Sequence, residues 1–176
     1  MTLLAAGLFL VGTAVVLSLP DAQSQALSEI DGSAVPVKVE YAAPELALTD
    51  LEGNPVTLRD HLGQVILVNN WATWCPPCKA EMPTLQSYYS DYADGGFVII
   101  AIESGEPADE VSAFVHQYGM TFPVWLDPQA EALQAFQNYD LPSSYVIDRA
   151  GIIRLQWTGA ISREMLEKYV SPLIEE

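Results

Sequence analysis

The chain opens on a run without a single charged residue, Thr2 to Leu19, whose 18 positions are apolar or small throughout. That length lies at the lower end of what crosses a bilayer as a helix. A cleavable signal peptide would carry a basic n-region and a shorter apolar core. No Lys or Arg precedes this run, and Ala22, Ser24 and Ala26 give only a loose cleavage cue. An uncleaved anchor over 1–19 is therefore favoured over a signal peptide. A core helix is the remaining possibility, but the run has no polar face and no caps. Residues 20–43 turn polar and small, with Pro20, Gly32 and Pro36 and no sustained periodicity. They read as a flexible linker holding off a domain that spans 44–176.

Within that domain apolar runs and turn signals alternate. Leu46 to Leu48 predicts a short strand, Asp50 to Asn54 a turn, and Val56-Thr57 a second short strand. The turn has too few ligands for a calcium loop. Val65-Ile-Leu-Val-Asn-Asn-Trp71 and Phe97-Val-Ile-Ile-Ala-Ile102 are continuous apolar runs of the kind that parallel strands buried on both faces show. Helices are expected from Pro76 to about Tyr92, from Pro107 to Tyr118 and from Ala130 to Asn138. Pro123 to Leu126 predicts a strand between the last two. Ser144–Asp148 and Ile152–Trp157 flank the Arg149-Ala-Gly151 turn and should pair antiparallel. Ser162 is placed to cap a final helix. The order βαβαβα followed by ββα predicts an α/β domain with a mixed sheet and helices on both faces. No internal repeat is evident.

Charge sharpens the division. The 176 residues carry 7 Lys+Arg against 23 Asp+Glu, a formal net charge of −16, yet the mean hydropathy is +0.18. Every charge lies beyond Pro20, so the apolar excess belongs largely to the N-terminal run. So acidic a domain argues against nucleic acid as a partner, because phosphate contacts need Lys and Arg.

The chain has two cysteines, Cys75 and Cys78, in a C-x-x-C at the junction of the Val65–Trp71 strand and the following helix. Cys75 would sit at the helix start, near unpaired N–H groups and the positive end of the dipole, which favour the thiolate. Cys78 lies one turn inside on the same side, placed to attack a mixed disulfide on Cys75. Pro76 and Pro77 suit a first turn, where their missing N–H groups cost little. A purely structural disulfide is disfavoured, since so short a loop removes only about 2 kcal/mol of chain entropy. A zinc site lacks a second C-x-x-C, and neither His61 nor His116 has ligand spacing to this one. Haem attachment would need His where Lys79 stands. The pair reads as a redox-active dithiol with no metal.

Cys78, Glu81, Met82, Leu85 and Tyr89 share one helical stripe. A carboxyl on that stripe is expected to be partly buried with a raised pKa, and so to accept the Cys78 proton. The alternative is a Glu81 at the stripe's edge that snorkels to water. Pro83 is expected to kink the helix. Trp71 reads as core, and Trp74 as exposed docking surface.

Trp74-Cys-Pro-Pro-Cys-Lys-Ala-Glu81-Met-Pro83 resembles the active-site stretch of the thioredoxin superfamily. Glu three residues after the second Cys, with Pro two further on, is similar to the membrane-anchored TlpA/ResA/DsbE-like thiol-disulfide oxidoreductases. The resemblance runs from about Pro44 to Ile174 and implies a thioredoxin-like fold. Tyr139-Asp-Leu-Pro142-Ser-Ser-Tyr-Val-Ile-Asp148 resembles the family's cis-proline segment. It implies that Pro142 is cis beside Cys75 and that the backbone at Leu141 pairs with an extended substrate segment, with Trp74 and Pro76 on the same substrate-facing surface. On physics alone Pro142 is equally a plain turn proline, since cis is the minority form. Ser143 stands where the family usually has Thr.

The implied activity is a membrane-tethered, extracytoplasmic dithiol oxidoreductase that reduces client proteins such as apocytochrome c. Cys75 is the nucleophile, Cys78 resolves and Glu81 accepts the proton. A membrane partner supplies electrons, and the only redox cofactor is the dithiol itself. No Cys lies near residue 20 for lipid attachment, so the apolar run is left to do the tethering. Two other classes compete. A thiol peroxidase would show P-x-x-x-T-x-x-C, but Val68 and Ala72 hold the Pro and Thr places. A non-enzymatic module would use the acidic surface to hold basic clients.

Overall fold

The computed structural model describes residues 32–176, which fall in one unit, Gly32–Glu176. The expected anchor over 1–19, and the expected linker up to residue 31, lie outside the described residues. Among the described residues no helix is long and apolar enough to cross a membrane.

Eight strands of the described chain form one sheet. They are β1 (Val37–Ala42), β2 (Ala47–Asp50), β3 (Pro55–Thr57), β4 (Val65–Trp71), β5 (Phe97–Glu103), β6 (Val124–Leu126), β7 (Ser143–Ile147) and β8 (Ile152–Thr158). Helices α1 (Pro76–Tyr92), α2 (Ala108–Tyr118), α3 (Glu131–Ala135), α4 (Arg163–Tyr169) and α5 (Ser171–Glu175) pack on it. The strand order is β1-β8-β7-β4-β5-β6-β2-β3. Strand β4 runs parallel to β5 and antiparallel to β7, so the sheet is mixed.

Successive side chains of a strand point to opposite faces, which explains why β4 and β5 are apolar at nearly every position. Val65, Leu67, Phe97, Ile99 and Ala101 face one core with Met82, Leu85 and Tyr88 of α1, Val111 and Phe114 of α2, and Leu166 of α4. Ile66, Val68, Val98, Ile100 and Ile102 face a second core with Leu58, Trp125, Ala132 and Phe136. The sheet is thus covered on both sides, as the βαβ pattern predicts.

Four local expectations are corrected. Residues 37–42, assigned above to the linker, form edge strand β1, which pairs antiparallel with β8. Its pairing partner lies more than a hundred residues downstream, and most of its side chains are exposed, so it left little local signal. Helix α3 ends at Ala135 rather than Asn138, because Gln137 adopts φ +54°. The single final helix is two, broken where Pro172 sits in the first turn of α5. On α1 the fully buried tyrosine is Tyr88 rather than Tyr89, which is half-buried against Phe122. The Asp50 turn is an Asx turn: the carboxylate accepts from the backbone N–H groups of Glu52 and Asn54.

Candidate active site

The end of β4 delivers the chain to α1 through Ala72, Thr73 and Trp74. Cys75 is the residue that caps α1, and its Sγ accepts a bond from the backbone N–H of Cys78 at 3.2 Å. No acidic residue occupies the first turn of this 17-residue helix. The positive end of its dipole therefore acts on the Cys75 sulfur with no acidic side chain of that turn to offset it. Cys75 and Cys78 are joined in a disulfide with their Cα atoms 5.3 Å apart. Cys75 is 3% exposed and Cys78 0%, so of the two cysteines only Cys75 offers any surface to a partner.

One turn further along α1, Glu81 points into the protein and is 2% exposed. Its Oε1 accepts from Asn69 Nδ2 at 2.9 Å, and its Oε2 from the backbone N–H of Ile161 at 3.1 Å. Burial pushes this carboxyl up to about 7, against the two donors, which favour the charged form. A carboxyl so placed exchanges a proton near neutral pH. The snorkelling alternative for Glu81 does not apply.

Sequence reasoning missed the partners of Glu81. Asn69 Nδ2 also donates to Ser144 Oγ at 3.0 Å, and Asn70 Nδ2 to Ser143 Oγ at 3.2 Å, across the β4–β7 pairing. The available signal was the pair of asparagines closing an otherwise apolar strand, because a buried amide demands partners. Ser143 and Ser144, which follow Pro142, supply them. The Leu141–Pro142 peptide bond is cis. Pro142 is buried and Leu141 half-buried. Pro142 O accepts from Gly159 N at 2.8 Å, at the same end of the sheet as the β4–α1 junction. Pro76 is exposed, and Trp74, at 65%, is among the most exposed large apolar side chains of the described residues. Trp71 and Tyr145 lie in the core.

A second carboxyl network, also missed, braces the loop before Cys75. Glu106 accepts from the backbone N–H of Thr73 at 2.6 Å and from its hydroxyl. Against the penalty of its partial burial, these donors hold Glu106 below the usual carboxylate range. Glu103 is buried behind it and accepts the Glu106 N–H at 3.1 Å. Burial, with Glu106 and Asp127 nearby, pushes Glu103 up to about 8.

A mixed sheet that presents a dithiol on a helix N-terminus, beside a cis-proline strand, defines a thiol-disulfide oxidoreductase of thioredoxin-like fold. The chain belongs to the AhpC/TSA family, whose model matches residues 39–156. It is 36% identical over 137 residues to the thiol-disulfide oxidoreductase ResA of Geobacillus kaustophilus, covering 78% of this chain and 79% of that protein. It is 37% identical over the same length to ResA of Bacillus thuringiensis subsp. konkukian, with the same coverage. Among solved structures, a thiol:disulfide interchange protein of the thioredoxin family from Chlorobium tepidum matches with a TM-score of 0.69 and 26% identity, covering 78% of this chain and 99% of that one. StoA from Bacillus subtilis shares the fold with a TM-score of 0.63 at 24% identity, covering 73% and 97%. Within the thioredoxin superfamily the protein is a disulfide oxidoreductase of the ResA/DsbE type. The peroxidase alternative is not favoured: Ala72 and Val68 are buried apolar side chains, so no hydroxyl stands three residues before Cys75.

Proposed function

We propose that the protein is a membrane-tethered, extracytoplasmic reductant of disulfides in client proteins, apocytochrome c among them. In this reading the Cys75 thiolate attacks one sulfur of a client disulfide. A Cys75–client disulfide forms and the other client sulfur leaves as a thiolate. Glu81 takes the proton of the Cys78 thiol. The Cys78 thiolate then attacks Cys75 Sγ, closing the Cys75–Cys78 disulfide and expelling the second client thiolate. Two electrons pass to the client, and a dithiol donor in the membrane returns them by the reverse exchange. The dithiol is the only redox group required.

Trp74 and Pro76 offer an exposed surface to the client, and the backbone at Leu141, before cis-Pro142, pairs with an extended client segment. The observation that carries this reading is the buried Glu81 on the same helical face as the inaccessible Cys78, with a carboxyl that titrates near neutrality. The direction is tested by equilibrating the pair with glutathione at defined ratios. A potential far below the glutathione poise fits a reductant, and one well above it would identify an oxidase.

A further inference from the structure

The chain enters its domain beside the proton-handling carboxyl. Ser33 Oγ accepts from the backbone N–H of Ser162 at 2.8 Å. Next to it, Ala34 N donates to Ala160 O, also at 2.8 Å. Between these two anchored peptides lies Ile161, whose own N–H is turned to Glu81 Oε2. The loop is tied on its far side through Gly159 N to Pro142 O. At its root Gly159 holds φ +99°, and a Cβ there would stand 3.7 Å from Ala34 Cβ. At its other end Ser162 caps α4 by accepting from Met165 N. The short loop 159–162 therefore meets Glu81, the cis-proline strand and the entering stem at once.

We propose that Ser33 is a positioning residue for the dithiol chemistry: the stem braces the 159–162 loop and so holds the Ile161 N–H against Glu81. This deepens the proposed function and rests on Glu81 being the proton acceptor. The physical basis is the steep dependence of a hydrogen bond on distance and angle. The Ile161 peptide touches Glu81 with one N–H; the Ile161 side chain is anchored in the core, and the stem's hydrogen bonds hold the peptide groups on either side, at Ala160 O and Ser162 N. Those bonds come from residues more than a hundred positions upstream in sequence. Losing the Ser33 hydroxyl frees the Ser162 side of the peptide, with only the Ala34 N–H left to brace the loop from the stem, and loosens the Ile161 contact. Glu81 then loses a donor that favours its charged form and holds its proton to higher pH. Anything that draws the stem off the loop would retune the proton step without touching either cysteine.

The test uses the reduced full-length chain and the rate at which it reduces dithiobis(nitrobenzoate), followed as a function of pH. The Glu81→Gln variant identifies the inflection that belongs to Glu81. Ser33→Ala is expected to move that inflection upward by about half a pH unit, and Ser33→Thr, which keeps the hydroxyl, to leave it at the wild-type position. In the Glu81→Gln background Ser33→Ala should change nothing in the profile. An inflection that stays put in Ser33→Ala while the thermal midpoint falls would show a merely structural contact and overturn the inference alone. A downward shift would also overturn it, because water entry rather than loss of the donor would then dominate. A pH profile that Glu81→Gln leaves unchanged would overturn the role of Glu81 itself, and the inference with it.

Discussion

Replacing Glu81 by Gln should make the stability of the oxidised protein less sensitive to pH, by an amount set by the buried carboxyl. Its pKa is raised from the ordinary 4.5 to about 7. Below the ordinary value both folded and unfolded chains hold the proton, and the residue contributes nothing to pH dependence. Between the two values the unfolded chain releases its proton while the folded chain keeps it, so stability falls as pH rises. Above about 7 both are ionised and the loss is complete. At about 1.36 kcal/mol per unit the total is about 3 kcal/mol. Gln cannot ionise. It keeps an oxygen for Asn69 but turns an N–H toward that of Ile161, at a penalty of about 1–3 kcal/mol that is the same at every pH. The stability difference between variant and wild type should therefore swing by about 3 kcal/mol in favour of Gln from acid to mildly alkaline pH. Denaturant unfolding of both proteins under oxidising conditions measures it. Glu103, shifted in the same direction, is present in both and cancels. A difference that stays constant with pH would refute the claim that Glu81 is protonated through burial.

Two further outcomes follow from the structure. Cys78→Ser should retain attack by Cys75 but lose resolution, so that a model disulfide peptide accumulates as a covalent adduct visible by intact mass, whereas Cys75→Ser gives none. Gly151→Ala should destabilise the domain by about 1–2 kcal/mol without altering thiol exchange, because Gly151 holds φ +84° and an added Cβ would lie 3.2 Å from Leu62. Thermal unfolding paired with the exchange rate reads both halves of that statement.

The fold was legible wherever local chemistry and tertiary role coincide. Val65–Trp71 and Phe97–Ile102 are apolar because both sheet faces are covered, and the C-x-x-C is visible because strand, cap and helix are contiguous. What sequence concealed depends on distant partners. β1 alternates Val37-Lys-Val-Glu-Tyr41, yet only β8 makes it a strand. The stripe on α1 drifts by one position to Tyr88 because the core behind it contains Phe97 and Ser171, which no helical wheel represents. At the active site both cysteines and the burial of Glu81 were readable from spacing. Asn69, Ile161 and Glu106 were not, since each reaches its partner across the sheet or from another loop.

The complete burial of Cys78 also governs what the protein can react with, and when. A sulfur with no accessible surface meets no second client, no soluble thiol and no oxidant from solution. It reacts only with the atom already beside it. In the proposed cycle, resolution of a Cys75 adduct by Cys78 is therefore a first-order step, whose rate does not depend on the concentration of clients or thiols in solution. Client abundance sets how often the cycle starts, and the interior of the fold sets how long each client is held.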